Sequence, residues 1–306
     1  MQRRQLLKGL GALAGAMHLP VLTKAAEPTV NQRVLRIAHL TDVHVQPLIG
    51  AARGLEKCLH HLQNLDIKPD FIFNGGDSIM GAHKSPKDKF TKQWSLFQDV
   101  ISSENGLEIF PCIGNHDIWC ETENARSFND GKKWALDEYQ LAKPYYSFSR
   151  NGWHFIVLDS VQAKADGSWY TGAIDEAQMD WLKKELKSVP AATPVFIMSH
   201  IPILSASVFL DGKNYRNGQW NVPGSWMHED AAELTDLFYQ FKNIKIAVSG
   251  HLHLLDKVEY NGITYCCNGA VSGAWWFGSY HQTGPGYALI DLFADGSFKT
   301  EYVSYR

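Results

Sequence analysis

The stretch Cys112-Ile113-Gly114-Asn115-His116-Asp117-Ile118-Trp119 decides how this chain is read. It follows Leu107-Glu108-Ile109-Phe110-Pro111, a short apolar run that predicts a buried strand. At the end of that strand stand a glycine, an amide, an imidazole and a carboxylate in succession. Gly114 lets the backbone turn without a Cβ clash. Asn115 offers an amide oxygen as a hard ligand or anchor, and His116 an imidazole that can give or take a proton. Taken alone, these four residues read equally well as a polar turn.

Four further stretches remove that ambiguity. Asp42-Val43-His44, Gly75-Gly76-Asp77, Ser199-His200 and Gly250-His251-Leu252-His253 each follow an apolar run. Ligands of parallel sheets collect at the carboxyl ends of strands, so the five stretches can meet in space. They bring Asp42, His44, Asp77, Asn115, His200, His251 and His253 as nitrogen and oxygen donors, with His116 left over. That donor set suits two adjacent divalent transition metals.

With these residues in place the chain resembles the calcineurin-like metallophosphoesterases. Their motifs, Asp-x-His, Gly-Asp, Gly-Asn-His-Asp/Glu, a lone His and Gly-His-x-His, all occur in the family's order between residues 42 and 253. The resemblance implies an α/β fold, a four-layer α/β/β/α sandwich of two mixed sheets flanked by helices. It implies a first metal site of Asp42, His44, Asp77 and His253, and a second of Asp77, Asn115, His200 and His251, with Asp77 bridging. Two divalent ions (Zn, Mn, Fe or Co) about 3.5–4 Å apart would clamp a phosphoryl displacement. Their bridging hydroxide would attack phosphorus directly, with no covalent enzyme intermediate. His116 is not a ligand in the family and would stabilise phosphoryl oxygens or protonate the leaving group. Asp117 would orient an imidazole from behind the ligands.

The motif set also resembles that of bacterial cyclic-nucleotide phosphodiesterases and glycerophosphodiesterases, which favours diesters, with phosphomonoesters as the alternative. A non-catalytic metal-binding scaffold of the same fold is the reading from a different class. Such a scaffold can lose ligands freely, whereas every ligand position and His116 are filled here.

The 306 residues begin with Arg3-Arg4-Gln5-Leu6-Leu7-Lys8, an Ala/Gly/Leu run and small residues up to Ala26. This reads as a cleavable export signal over residues 1–26, cut near Ala25/Ala26. The paired arginines suggest the twin-arginine machinery, with an ordinary Sec signal or an uncleaved anchor as the alternative. The expected location is the periplasm or beyond, and residues 27–306 read as one domain. The apolar run is too short and too weakly hydrophobic for a stable span. Without residues 1–26 the chain keeps 25 basic against 32 acidic residues, a net charge of −7 with histidine neutral. That balance, without a Lys/Arg run, argues against nucleic acid and leaves a small phosphate ester as the expected partner. The five cysteines (Cys58, Cys112, Cys120, Cys266 and Cys267) show no metal spacing and read mostly as buried thiols, a Cys112–Cys120 bridge being the minority option.

Along the chain, apolar spacing predicts helices over residues 51–65, around Phe90 to Ile101, over 174–186 and over 229–241. His39, on the first strand, reads as core rather than ligand. Residues 121–141 lose the pattern and read as a loop with a partial helix. A hairpin is expected around Arg150-Asn151-Gly152. Residues 203–228 are long for an internal loop and read as a substrate-facing lid, in which Arg216 is a candidate phosphate clamp. Trp275 and Trp276 are candidates to stack on a substrate ring, core packing being the competing reading. The strand-rich remainder, residues 263–305, is expected to close a second sheet.

Overall fold

A computed structural model describes residues 31–48, 50–81, 85–121, 125–167 and 169–306. The export segment read at residues 1–26 lies outside the described residues. The chain runs β1 (Arg33–Leu40), α1 (Ala51–Gln63), β2 (Phe71–Asn74), α2 (Lys87–Glu104), β3 (Ile109–Pro111) and α3 (Ala125–Tyr139). It continues through β4 (Tyr146–Arg150), β5 (Trp153–Val157), β6 (Val161–Ala163), β7 (Tyr170–Gly172), α4 (Glu176–Ser188) and β8 (Val195–Met198). Then come the two-residue strands β9 (Tyr215–Arg216) and β10 (Gln219–Trp220), α5 (Ala231–Tyr239) and β11 (Ile244–Ser249). The last strands are β12 (Asp256–Tyr260), β13 (Ile263–Cys267), β14 (Gly286–Phe293) and β15 (Phe298–Ser304).

Two mixed sheets result, with strand orders β15-β14-β1-β2-β3 and β12-β13-β11-β8-β5-β4. In the first, β1, β2 and β3 are parallel. In the second, β5, β8, β11 and β13 are parallel. Alternation along β1 assigns the layers. Leu35 and Ile37 point between the sheets, against Phe155, Phe196, Met198 and Ile246. Ala38 and Leu40 point outward, to Leu55, Leu59 and Leu62 of α1 and Phe90, Trp94 and Phe97 of α2. Those helix positions recur at three and four residues, the spacing of a single buried face. On the other side, Leu182 and Leu186 of α4 and Leu234 and Phe238 of α5 cover Ile156, Val195 and Ile197. The middle layer is aromatic, Phe73 stacking on Phe196 with centroids 5.4 Å apart. The order is therefore helix, sheet, sheet, helix. Residues Gln32–Arg306 form one compact unit.

Two local expectations are corrected, and one small ribbon is added that was not predicted. Residues Ala125–Tyr139 form a continuous helix, not a partial one. Its buried face hides a cation: Lys132 Nζ donates to Asp159 Oδ2 at 2.6 Å and to the Val161 carbonyl. A charged residue at a core position breaks the apolar period from which helices are read. The C-terminal strands also split between the sheets. β12 and β13 complete the second, while β14 and β15 return to flank β1 in the first. Arg36 and Asp291 sit opposite each other in the β1–β14 register, joined by two 2.7 Å hydrogen bonds. Finally, β6 and β7 form a small antiparallel ribbon that alternation over so few residues does not reveal. All five cysteines are free and buried. Among the described residues no helix is long and apolar enough to cross a membrane.

Candidate metal centre

Each sequence stretch leaves the carboxyl end of a parallel strand: β1, β2 and β3 from one sheet, β8 and β11 from the other. The loops from β1 and β2 are laced together, Asp42 N–H donating to the Gly76 carbonyl at 3.0 Å and His44 N–H to that of Asp77 at 2.9 Å. This lacing holds Asp42 (φ 55°), His44 (φ 50°) and Asp77 (φ 54°) in the left-handed region, as are His251 (φ 72°) and His253 (φ 58°). Five such non-glycine residues in one site are costly, at about 1–3 kcal/mol each, and mark where packing overrides local preference. The motif glycines permit close approach. A Cβ on Gly114 would lie 2.2 Å from Asp77 Oδ1, and one on Gly250 2.3 Å from Asp42 Oδ2.

The ring nitrogens show what the site is for. His253 Nδ1 donates to the Gly273 carbonyl at 2.6 Å, so its Nε2 presents a lone pair. That lone pair faces His44 Nε2 at 3.0 Å and Asp42 Oδ1 at 3.4 Å. Asp42 Oδ1 is buried and has no donor of its own. The second half repeats the logic. His200 Nδ1 donates to the Gly75 carbonyl at 2.8 Å, and His251 Nε2 to that of Ser225 at 2.8 Å. Their remaining nitrogens, His200 Nε2 and His251 Nδ1, face each other at 3.1 Å. Asn115 Oδ1 is 3.1 Å from His200 Nε2. Asp77 joins the halves, its Oδ2 3.7 Å from His44 Nε2 and 3.4 Å from His200 Nε2. Acceptors converging on acceptors in a buried space need cations. Asp42, His44 and His253 form one group within chelating distance, and Asp77, His200 and His251 another.

The titration directions agree. Burial disfavours charge on His44, which falls well below its usual value, and on His251, which drops to about 4. Burial also opposes charge on His200, but Asp77 and Asp42 outweigh it and lift it to about 9. The two carboxylates thus favour positive charge at this place, the field that a bound cation would meet.

Residues 35–255 match the sequence profile of the family described as calcineurin-like phosphoesterase. The chain belongs to the calcineurin-like phosphoesterases. Among its relatives, a 3',5'-cyclic-nucleotide phosphodiesterase of Nostoc sp. (strain PCC 7120) is 26% identical over 289 residues, 89% of this chain and 93% of that protein. The 3',5'-cyclic adenosine monophosphate phosphodiesterase CpdA of Escherichia coli K12 is 22% identical over 297 residues, 90% of this chain and 91% of that one. A dimetal phosphatase from Danio rerio shares the fold, with a TM-score of 0.62 at 12% identity over 90% of this chain and 98% of its own. The chain is thus a metal-dependent phosphoesterase.

In this calcineurin-like phosphoesterase His116 stands at the rim of the donor cluster. Its ring meets that of His44 edge-on at 4.7 Å, and its Nδ1 donates to the Met80 carbonyl at 2.5 Å. Nε2 is left as the nitrogen available to the cavity that His116 lines. Asp117 does not orient an imidazole, contrary to expectation. Its Oδ2 accepts from the amides of Gly114 (2.8 Å) and Asp77 (3.0 Å) and from the Tyr139 hydroxyl (2.9 Å). Its Oδ1 accepts from the Ser78 amide at 2.9 Å. Asp117 therefore ties the β2 loop to the β3 loop. Burial and then Asp77 push its carboxyl up to about 7. His39 is core, as expected: fully buried, bonded through Nδ1 to Asn268, and lowered to about 4 by that burial.

The substrate candidates divide. The cavity of about 200 Å³ beside the cluster is lined by Trp275, whose ring lies 4.5 Å from that of His253. Trp276 turns the other way, Nε1 donating to the His44 carbonyl at 3.0 Å and its ring packing with the α1 and α2 core. Its role is to hold the His44 loop, which corrects the stacking assignment. Arg216 is exposed on the β9–β10 ribbon, its Nε donating to the Lys213 carbonyl at 3.0 Å, and it is not part of the cavity wall. The lid segment does reach the cavity, through Asp211 and Trp226. With Tyr170 and Tyr280, these residues carry no motif, so spacing could not single them out.

Proposed function

We propose that this protein hydrolyses phosphodiesters at two divalent ions, one held by Asp42, His44, Asp77 and His253, the other by Asp77, Asn115, His200 and His251. One observation carries the reading: lone pairs converge from both sides on Asp77 Oδ2 while every outward ring nitrogen of His200, His251 and His253 is fixed by a backbone carbonyl. Bound there, the ions would supply Lewis acidity to the ester and lower the pKa of water.

The chain's own residues supply orientation and proton handling. The carbonyl partners of His200, His251 and His253 set those three tautomers, while His44 Nδ1 is buried without a partner. His116, anchored through Nδ1, holds Nε2 at the rim, where it can give a proton to the departing alkoxide. Trp275 lines the same wall, its Nε1–H buried without a partner. The diester preference is supported by the phosphodiesterase relatives, including a probable glycerophosphodiester phosphodiesterase of Arcobacter nitrofigilis, 20% identical over 235 residues. We also read residues 1–26 as a twin-arginine signal, which Arg3→Lys with Arg4→Lys should disable in cell fractionation.

Steady-state hydrolysis of bis-p-nitrophenyl phosphate and p-nitrophenyl phosphate with Mn, Zn or Fe tests the activity. The diester should win by orders of magnitude in kcat/KM. A monoester preference would make the protein a phosphatase, and silence with every metal would leave the binding scaffold.

A further inference from the structure

The cavity contains a feature that an anionic ester does not call for. Asp211, on the lid segment just before β9, places a carboxylate in the wall, and among the described residues no lysine or arginine lines that cavity. The Tyr280 hydroxyl donates to Asp211 Oδ1 at 2.6 Å, and the His281 imidazole stands 3.7 Å from the same oxygen. The Tyr280 ring meets Trp275 edge-on at 5.3 Å and the ligand His253 at 5.9 Å, so one tyrosine spans from the donor cluster to Asp211. Burial and the Asp211 carboxylate both raise the Tyr280 hydroxyl, which stays a donor.

A carboxylate beside a phosphate is repulsive unless the bound molecule carries a positive group between or beyond them. Aromatic rings next to that carboxylate are the surroundings in which ammonium groups are bound. The volume decides how large the group can be. At about 200 Å³ the cavity is smaller than the ~300–1,000 Å³ that drug-sized ligands occupy. That space suits a small arm beside the ester.

We propose that Asp211, Tyr280 and Trp275 form a subsite for a small cationic alcohol arm, an aminoethyl or trimethylammonioethyl group, of the phosphodiester, a substrate class that presupposes the phosphodiesterase activity proposed above. Asp211 supplies the charge, Trp275 a ring face, and Tyr280 fixes the carboxylate while walling the arm off from His253.

The test compares p-nitrophenyl phosphocholine with its 3,3-dimethylbutyl isostere, in which carbon replaces the charged nitrogen, on the full chain reconstituted with Mn²⁺. The choline ester should be favoured about tenfold or more in kcat/KM, and Asp211→Asn should bring that ratio to within about twofold of unity. A ratio taken within one preparation cancels any loss of folded protein. Equal rates for the two esters, or an unchanged ratio in Asp211→Asn, would overturn the subsite. Quenching of tryptophan fluorescence by tetramethylammonium reads binding without turnover. Saturable quenching weakened by Asp211→Asn supports the subsite, and unsaturable or unaltered quenching overturns it. Should both esters resist hydrolysis with every metal while tetramethylammonium still saturates, the phosphodiesterase reading fails and the cation subsite stands. Should both turn over equally, the reverse holds.

Discussion

Asp77 divides its two oxygens between backbone and cluster. Oδ1 accepts the His116 amide at 2.8 Å, and Oδ2 faces His44 and His200. Asp77→Asn removes the shared charge and is expected to lower bound metal at both sites, read by elemental analysis of the purified variant. His116→Ala keeps all seven donors, so metal content should hold while kcat falls by about 10²–10⁴-fold. Equal metal with undiminished kcat would remove His116 from the chemistry. Asp117 gives the opposite pattern. An asparagine there turns one of two acceptor oxygens into a donor facing buried donors, at a cost of about 1–3 kcal/mol by chemical denaturation. At this scale the ligands were legible because chemistry fixes residue type and order. The role of Asp117 was not, since its partners Ser78 and Tyr139 are remote in sequence and only the fold brings them to its oxygens.

Elements position that chemistry through contacts between helix and loop. Trp276 packs on α1 so tightly that a Cβ on Gly54 would lie 1.9 Å from its ring. Helix propensity alone makes Gly54→Ala stabilising by about 1 kcal/mol. Overpacking of about 1–3 kcal/mol should win, lowering Tm and loosening metal through the Trp276–His44 contact. A raised Tm would contradict the packing. The β1–β14 pairing offers a pH test. Burial raises the Asp291 carboxyl, but hydrogen bonds and charge from Arg36 outweigh it and leave it below its usual value. A depressed folded pKa adds stability above the unfolded carboxylate value of about 3.9, lost as pH falls through the lower folded value. Asp291→Asn should therefore cost no more than about 1 kcal/mol at neutral pH, this half-screened pair being near the surface, and nothing in strong acid. The strands β1, β2, β3, β8 and β11, and the helices α1, α2 and α5, were legible from apolar period. Residues 125–139 were not, because Lys132 occupies a core position, and the sheet joined by β14 could not be read from alternation, which gives a strand but not its neighbour.

At the scale of the whole molecule, two sheets packed through an aromatic layer turn the carboxyl ends of their parallel strands toward one place. Neither sheet holds a complete site: β1, β2 and β3 bring Asp42, His44, Asp77 and Asn115, while β8 and β11 bring His200, His251 and His253. Metal binding is therefore expected to tie the layers together, raising Tm as well as enabling turnover. The five motifs foretold this convergence, while the cavity wall of Tyr170, Asp211, Trp226 and Tyr280 became visible only when loops far apart in sequence came together. The decisive measurement is hydrolysis of bis-p-nitrophenyl phosphate as Mn²⁺ is returned to chelator-treated protein, with bound metal counted in parallel. Activity that starts at background and reaches its plateau at about two ions per chain is the expected result. Full activity in the chelated protein, or a plateau with one ion bound, would contradict a paired metal centre bridged by Asp77.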